Sequence, residues 1–384
     1  MTYKYKLLLW VCLLWGAMNA GAQTSSQPLP ESVYAGEPEP SYASEVATSD
    51  PSETKGVYQE QQVDVAEIVF GHIGDAYEWH ITDIGSHALT LPLPILVRST
   101  TGWHCFLSSR FHEGEGSTYE GLYIAPEGAY KGKVVERVAG REQRPMDLSL
   151  TKNVVGLLIN SLVLLGIVFH CVRWYRRHPV EQEAPGGLVG MVEACTVFLR
   201  DEVIAPCIGP DYRRYQPYLL TVFFFILVSN LMGLLPMFPG GVNLTGNIAV
   251  TMVLALCTFV AVNLGGNRHY WKEIFWPDVP WWLKVPIPLM PFIELFGIFT
   301  KPLALMIRLF ANIMAGHAAI LSLLSIVFIT APLGAWINGS MGAIAVVFGV
   351  FMTALELLVA FIQAYVFTLL SAVFIGLSRP QEEN

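Results

Sequence analysis

The sequence is poor in charge and in cysteine. Charged residues make up 14% of its 384 positions, against 53% hydrophobic residues, whereas a soluble domain carries about 25% charged residues. This balance excludes an ordinary soluble enzyme and indicates a chain that crosses a membrane several times. The sequence also has no phosphate loop of the G-x-x-x-x-G-K-[ST] kind, so we expect it to bind no nucleotide.

Cysteine and histidine give no metal or redox motif. The six cysteines form no C-x-x-C pair, which excludes a zinc or thiol redox site of that kind. Cys105 stands alone between residues 23 and 150, so an intrachain disulfide there is excluded. The histidines of the same part match no compact ligand motif, and we interpret them as surface or packing side chains: His72, His80, His87, His104 and His112. We expect no cofactor and no metal.

Negative charge is concentrated in the N-terminal part. Residues 23–150 contain 8 Lys and Arg against 19 Asp and Glu, a net charge of −11, whereas residues 151–384 contain 13 against 12, a net charge of +1. No basic patch of the kind that nucleic acid needs is present. A nucleic-acid partner is therefore excluded.

The N-terminal part predicts three segments outside the membrane. Residues 1–22 have two lysines, an apolar run over 7–15 and an Ala-Gly-Ala end. This pattern predicts a secretory signal peptide rather than an uncleaved membrane helix, because the run is too short to span a bilayer. Residues 23–60, rich in Ser, Pro, Glu and Gln, predict a disordered linker. Residues 61–145 alternate polar and apolar positions between Gly-rich turns, which predicts a small β-rich extramembrane domain.

Residues 150–380 predict an all-α polytopic membrane domain of five helices. The apolar runs cover residues 154–172, 218–235, 248–264, 291–329 and 341–377. The last two exceed the ~20 residues that a perpendicular helix needs, so we expect them to be long, tilted and antiparallel. Another stretch, 187–203, predicts an amphipathic helix in the cytoplasmic interface, with a soluble loop helix as the alternative.

Basic residues alternate between the loops of this domain. Arg or Lys follows the first, third and fifth runs and precedes the second, whereas the loops 236–247 and 331–340 carry neither. The positive-inside rule then predicts that the N-terminal domain lies outside and the C-terminus inside.

The last two runs contain seven ionisable or amide side chains. They are Glu294, Lys301, Arg308, Asn312 and His317 on the fourth run, and Glu356 and Gln363 on the fifth. A fixed cation costs about 2.5–3.5 kcal/mol at bilayer depth on insertion scales, which favours a functional role for Arg308. Glu294, near the inner end of its run, either lines an inner aqueous passage or snorkels to the interface together with Lys301.

The numbering of an antiparallel hairpin places Arg308 at the depth of Gln363 and His317 at the depth of Glu356. We therefore predict two paired layers, with His317 about 13 Å closer to the outside than Arg308. A His–Glu pair exchanges protons near neutral pH, which predicts a proton relay. The alternative is that these polar residues, with Asn312, only join the helices to one another.

The stretch Arg308-Leu309-Phe310-Ala311-Asn312, followed by Ala315-Gly316, resembles the subunit a family of F-type ATP synthases. Supporting matches are the run from Asn230 to Pro236, the pair Lys301-Pro302 and the pair Gln363-Ala364. The resemblance covers about residues 150–380. It implies two half-channels that carry protons to and from a rotating ring of c subunits, each with a membrane carboxylate that Arg308 faces.

The same resemblance implies the surroundings of the chain. Its partners are the c ring, the peripheral-stalk b subunits and the remainder of the ATP synthase in a bacterial inner membrane, with the N-terminal domain periplasmic and the C-terminus cytoplasmic. Many bacterial members carry Glu on the arginine helix and His on the last helix, whereas this chain has His317 and Glu356, a swap that looks like that of mitochondrial relatives. Some members carry an acidic residue at the position of Gly233, so this position contributes no channel side chain here. The signal peptide and the domain at 61–145 lie outside the minimal family pattern, and the coupling ion, H⁺ or Na⁺, stays open.

Two other functions fit parts of the sequence. A secondary transporter acting alone is favoured by internal repeats or Gly- and Pro-broken helices in matching halves, and the sequence shows neither. A membrane anchor for the outer domain leaves Arg308 unexplained.

Overall fold

The computed structural model describes residues 74–84, 87–111, 118–126, 128–138, 140–178, 184–235, 241–275 and 289–379. The signal peptide and linker predicted for residues 1–60 lie outside the described residues, as do His72 and His112.

In the described part of the N-terminal region, eight strands form three small antiparallel sheets ahead of the helices. They are β1 (Glu78–Ile84), β2 (His87–Pro92), β3 (Pro94–Ser99), β4 (Gly102–Leu107), β5 (Leu122–Ile124), β6 (Val134–Val138), β7 (Arg141–Gln143) and β8 (Met146–Asp147). Strand β1 pairs with β2, β3 lies between β4 and β8, and β6 lies between β5 and β7. The predicted β-rich character of this region is confirmed.

The sheets share a small apolar core. Along β3 every second side chain points inward, so Ile95 and Val97 are buried, as the period of two in a strand requires. They pack in one cluster with Phe106 of β4, Leu122 of β5 and Val134 of β6. The domain therefore has its own core, separate from that of the helices.

After the strands, the described ranges contain eight α-helices. They are α1 (Lys152–Arg177), α2 (Gly187–Phe198), α3 (Ala205–Ile208), α4 (Tyr212–Leu234), α5 (Ile248–Gly265), α6 (Arg268–Phe275), α7 (Leu289–Thr330) and α8 (Ala335–Leu377). Among the described residues, five helical segments are long and apolar enough to cross a membrane, and the second of them runs from α2 through α4. The prediction of five membrane helices is confirmed.

Helices α7 and α8 form a long hairpin. They contain 42 and 43 residues and are joined by a 3-10 turn at Ala331–Leu333. At 1.5 Å per residue each is about 63 Å long, roughly twice the 30 Å of a bilayer's hydrocarbon core. Two such helices cannot both stand perpendicular within the membrane, in agreement with the predicted tilt.

The amphipathic stretch predicted at 187–203 is shorter than expected. Helix α2 gives way to a π-helical turn at Leu199–Ile204, whose Leu199 and Val203 are fully buried in the helical core. Only the α2 part exposes apolar side chains, such as Leu188 and Met191. Within the stretch 187–203, the exposed apolar surface is thus confined to α2, and the π-helical turn belongs to the packed bundle. Helix α6, in the loop after α5, has no counterpart among the predicted elements.

Asp75 fixes the sheet domain to the first membrane helix. Its Oδ1 accepts a hydrogen bond from the backbone N–H of Asn153 at 3.1 Å, and the N–H of Lys152 donates to the carbonyl of Ala76 at 2.9 Å. Two of the N–H groups that a helix start leaves without partners are satisfied from the domain. Trp79 of β1, 3% exposed, packs into the core of the helices.

A buried loop between α4 and α5 closes the same end of the bundle. Residues 242–246 are all buried, although loops usually lie on the surface. Val242 lies so close to α1 that a Cβ on Gly156 would meet its Cγ1 at 2.7 Å. We call this end of the bundle, where the sheet domain joins α1, the domain end, and the other the opposite end.

Candidate functional site

Arg308 lies near the middle of α7 on an exposed face. Its side chain makes no hydrogen bond or ion pair within the described part of the chain. The exposed residues spaced with it along the helix are small or polar: Ala304, Ala311, Asn312 and Ala315. On the other side of α7, Leu305, Leu309 and Ile313 are buried against the bundle. The guanidinium is therefore presented outward from a surface that a second helix can approach closely.

His317 and Glu356 form the predicted contact between the two long helices. The Nδ1 of His317 lies 2.7 Å from Oε1 of Glu356, and their side chains are 20% and 7% exposed. His317 is nine residues after Arg308, so it lies half a turn around α7 and about 13 Å nearer the domain end. Arg308 thus points out of the bundle and His317 into it.

Gly316 allows this contact to be short. A Cβ at that position would lie 3.1 Å from Oε1 of Glu356, closer than the side chain tolerates without moving. The second carboxylate oxygen of Glu356, Oε2, is buried and has no hydrogen-bond partner among the described residues. The carboxyl group thus has one oxygen on the imidazole and one free to accept a hydrogen bond from water.

The other predicted pair, Arg308 with Gln363, is not formed. Among the described residues no hydrogen bond joins the two side chains, because Arg308 faces outward whereas Gln363 is 6% exposed on the inner face of α8. Gln363 shares that inner face with Glu356 and Ala360. Asn312 is exposed beside Arg308 and makes no helix-joining hydrogen bond within the described chain.

A small open pocket lies at the opposite end between α5, α6, α7 and α8. Its polar lining consists of Thr258, Asn263, Tyr270 and Lys301, and the Lys301 ammonium lies 5.9 Å from the ring of Phe374. Glu294 does not line it directly. Burial and the charge of the Glu294 carboxylate together raise the pKa of Tyr270, so Glu294 lies near enough to affect the pocket electrostatically.

The histidine and cysteine side chains that the structure describes have other surroundings than a metal ion. No group of three His, Cys, Asp or Glu side chains within the described residues is placed to hold a metal ion. His104 instead contacts Glu120 through Nδ1 and Ser99 through Nε2, the latter at 2.9 Å. It acts as a cross-link between turns of the sheet domain, and Cys105 is a free, exposed thiol.

Sequence reasoning missed a second set of buried polar contacts near the domain end. Asn160 of α1 donates to the Ser229 hydroxyl of α4 at 2.7 Å. Asn230, which follows Ser229 on α4, donates through its side-chain amide to the carbonyl of Ala360 at 3.2 Å. Its amide oxygen accepts a hydrogen bond from the Thr245 hydroxyl at 2.6 Å. The available signal was an asparagine inside an apolar run, because such a side chain is costly in a membrane unless it is hydrogen-bonded.

Comparison with known proteins gives two family matches. Residues 157–376 match the profile of a family described as ATP synthase A chain, which is more than half of the chain. Residues 68–152 match a domain of unknown function, DUF8433, which covers the strands described above.

Curated relatives match about three fifths of the chain. An "ATP synthase subunit a" of Chlorobium phaeobacteroides is 44% identical over 245 residues, which is 62% of this chain and 67% of the relative. One from Myxococcus xanthus is 40% identical over 249 residues, 63% of this chain and 77% of the relative. One from Chloroherpeton thalassium is 39% identical over 245 residues, 62% and 69% of the two chains.

Proposed function

The chain belongs to the ATP synthase subunit a family, and from that premise we propose that it holds Arg308 between two proton half-channels against the c ring. As a member of that family it is a multi-pass membrane subunit of the F-type ATP synthase and a component of its proton channel, and is not itself catalytic. The positions of the half-channels and the role of each residue are the proposal.

The observation that carries this proposal is the outward guanidinium of Arg308. It stands at mid-helix without a partner in the described chain, on a face of small side chains. Arginine cannot shed its charge, so a desolvated guanidinium needs an anion. A ring carboxylate that passes this face is favoured in its ionised form, because an opposite charge within a few ångströms lowers the pKa of an acid.

This electrostatic preference determines where a ring carboxyl group releases its proton and where it takes up the next one. A protonated ring carboxyl that approaches Arg308 releases its proton to one half-channel, passes as a carboxylate, and takes up a proton from the other. The fixed positive charge also repels a proton that would leak directly between the half-channels. One proton that crosses the membrane releases about 2.3 kcal/mol of free energy per 100 mV of membrane potential. Several protons must therefore cross for each ATP that is made.

The half-channel at the domain end contains the His317–Glu356 pair. A proton arrives at Nε2 of the neutral imidazole while Nδ1–H donates to Oε1 of Glu356, a contact of 2.7 Å. When the Nδ1 proton passes to the carboxylate, the ring is left neutral in its Nε2–H tautomer and Glu356 is protonated. Glu356 then releases this proton toward the ring carboxylate and is again a carboxylate, and a flip of the imidazole turns its remaining N–H toward Glu356, so that the relay is ready for the next proton. Gln363 continues the polar face of α8 toward the depth of Arg308.

The half-channel at the opposite end uses the pocket beside Lys301. Its side chains Asn263 and Tyr270 supply hydrogen-bonding groups at the membrane surface, and Glu294 adds a negative charge nearby. Asn312, exposed one turn from Arg308, lies on the face that meets the ring.

The remaining partners follow from the same assignment. The α7–α8 hairpin contacts the c ring, and the bundle contacts the peripheral-stalk b subunits. By the distribution of Lys and Arg the domain end faces the periplasm of a bacterial inner membrane and the opposite end faces the cytoplasm. The N-terminal signal peptide directs the sheet domain outward.

Cross-linking to the ring tests this assignment. A cysteine at Ala311, on the Arg308 face, should form a disulfide with a cysteine placed beside the ring carboxylate in the intact complex. The control is Leu162→Cys on α1, which is 71% exposed but lies on a different helix. Equal yields at the two positions, or none at Ala311, would contradict a ring-facing Arg308.

A further inference from the structure

One sheet of the N-terminal domain has an apolar outward face. In this sheet Arg98 of β3 lies opposite both Trp103 of β4 and Met146 of β8. Leu96 of β3 lies opposite Cys105 of β4. Residues opposite each other in an antiparallel pair share one face of the sheet. We call the following set the apolar sheet face: Pro94, Leu96, Arg98, Trp103, Cys105, Leu107, Met146 and Leu148.

The large side chains of this face are exposed. Trp103 is 56% exposed, Leu107 49% and Met146 47%. The solvent-facing side of an antiparallel sheet ordinarily carries polar residues. A contiguous exposed apolar surface marks a site of contact with a partner or with a membrane. The apolar sheet face is therefore an interaction surface.

The charge of this face points to lipid. Of its eight side chains only Arg98 is charged, whereas residues 23–150 contain 19 Asp and Glu against 8 Lys and Arg. The Arg98 guanidinium lies 5.8 Å from the centre of the Trp103 ring. Tryptophan is enriched at membrane–water interfaces, and a guanidinium matches the geometry of a phosphate. An apolar surface with these two residues and no carboxylate matches the headgroup layer of a bilayer.

The face is continuous with the first membrane helix. The carbonyl of Pro94 accepts a hydrogen bond from the N–H of Leu150 at 3.1 Å, two residues before α1 begins at Lys152. Helix α1 is long and apolar enough to cross a membrane, and its Leu162 is 71% exposed. At about 3.3 Å per residue of strand, Arg98 lies about 13 Å along β3 from Pro94. The whole face is thus within reach of the bilayer surface that α1 enters.

We propose that the apolar sheet face lies on the membrane at the domain end, with Trp103 and Leu107 among the upper acyl chains and Arg98 at a lipid phosphate. The inference goes beyond the proposed function, because it requires that α1 crosses the membrane but uses neither Arg308 nor the half-channels. It gives the sheet domain a second attachment, besides the hydrogen bond between Asp75 and Asn153. The domain then lies flat on the bilayer beside α1.

Fluorescence quenching at Cys105 tests this contact. The thiol is native, free and exposed, so a label there replaces no residue of the face. In a complex whose other cysteines are replaced, Cys105 is labelled with a nitrobenzoxadiazole maleimide. The complex is then reconstituted into phosphatidylcholine–phosphatidylglycerol vesicles that contain a lipid with a nitroxide near the start of its acyl chain. Iodide, present on both sides of the membrane, is the quencher in water.

The control carries the same probe at Val138→Cys in a Cys105→Ser background. Val138 is an exposed apolar residue of β6, in a different sheet. We expect the nitroxide lipid to quench the probe at Cys105 at least about threefold more than the control probe, because an apolar face on a membrane is buried about 5–10 Å into the boundary of headgroups and acyl chains. Equal nitroxide quenching at the two positions would overturn the proposal.

Iodide identifies the alternative in that case. Strong quenching of the Cys105 probe by iodide, with none by the nitroxide lipid, would show that the face lies in water. Protection of the Cys105 probe from both quenchers would show that a protein covers it. Either result contradicts the proposal.

An added charge provides a second measurement. Leu107→Glu places a carboxylate on the face and should lower nitroxide quenching at Cys105 about twofold or more, because a charged group resists transfer out of water. Val138→Glu, outside the face, should leave that quenching unchanged. Unchanged quenching in Leu107→Glu would contradict a lipid contact. Arg308→Ala should show wild-type quenching whatever its effect on pumping, so the failure of this inference and the failure of the proposed function are observed separately.

Discussion

The Nδ1 atom of His317 and the Oε1 atom of Glu356 lie 2.7 Å apart across the two longest helices of the protein. Glu356 is 7% exposed, and its other carboxylate oxygen has no hydrogen-bond partner in the part of the chain that the structure describes. Two groups that exchange protons are thus brought together in a region that admits little solvent. They lie between two and three helical turns from Arg308, which is on the outer face of α7.

Exchanging the two residues tests whether this pair carries protons. Either single change, His317→Glu or Glu356→His, leaves two like groups and should lower ATP-driven pumping by about 100-fold, the scale of an acid–base contribution. The double variant restores one acid and one imidazole, so it should pump faster than either single variant. Fluorescence quenching in inverted vesicles measures the rates. A double variant no better than the product of the single effects would refute the relay.

Gly316 tests the geometry of the same contact. In Gly316→Ala the added Cβ, 3.1 Å from Oε1 of Glu356, should push the carboxyl group away from His317. A displacement below 1 Å should slow pumping by about tenfold, less than the ~100-fold cost of a full 1 Å misplacement. Gly297→Ala is the matched control on α7, since its Cβ would meet only the Lys301 side chain at 4.0 Å. If both variants pump at the same rate, the distance between His317 and Glu356 has no effect on proton pumping.

Asp75 tests the attachment of the sheet domain to α1. Asp75→Ala removes the acceptor for the Asn153 N–H and should destabilise the start of α1 by about 1 kcal/mol, as lost helix caps do. Hydrogen exchange at the Asn153 amide should accelerate, with the Val155 amide, bonded to Thr151, as the internal reference. Unchanged exchange at Asn153 would contradict the capping role.

The charge of Asp75 adds a pH dependence. Burial raises its pKa above the ordinary value of 3.8, against the opposing charge of Lys133. Because the folded form then holds the proton more tightly than the unfolded form, this group lowers stability as pH rises from 3.8 to the raised pKa. Asp75→Asn keeps an acceptor for the cap and should remove that decline. The free energy of unfolding is measured against pH for the wild type and for Asp75→Asn. If the two curves run parallel over this pH range, Asp75 does not cause the decline.

Features that follow from the regular rise of a helix could be predicted from the sequence. Antiparallel helices of fixed rise place His317 and Glu356 at one depth whatever the surroundings, and the hydrogen bond is present. The direction of a side chain around its helix depends on packing, however. The apolar Leu309 and Ile313 turn toward the bundle and carry Arg308 outward, so no hydrogen bond joins it to Gln363, with which it was predicted to share a layer, among the described residues.

Contacts between distant segments had no sequence pattern to reveal them. Asp75 and Asn153 are 78 residues apart, and the buried loop around Asn243 has no periodicity from which burial is read. The π-helical turn at Leu199–Ile204 likewise depends on its packing against the bundle, which ended the predicted amphipathic helix early.

ATP-driven proton pumping by the Arg308→Ala complex tests the central claim most directly. The account predicts that the complex assembles but does not pump, because no fixed charge remains to ionise the passing ring carboxylate. Arg200→Ala, at an exposed arginine paired with Asp201, should pump normally and controls for loss of a surface charge. Normal coupled pumping by Arg308→Ala would contradict the account.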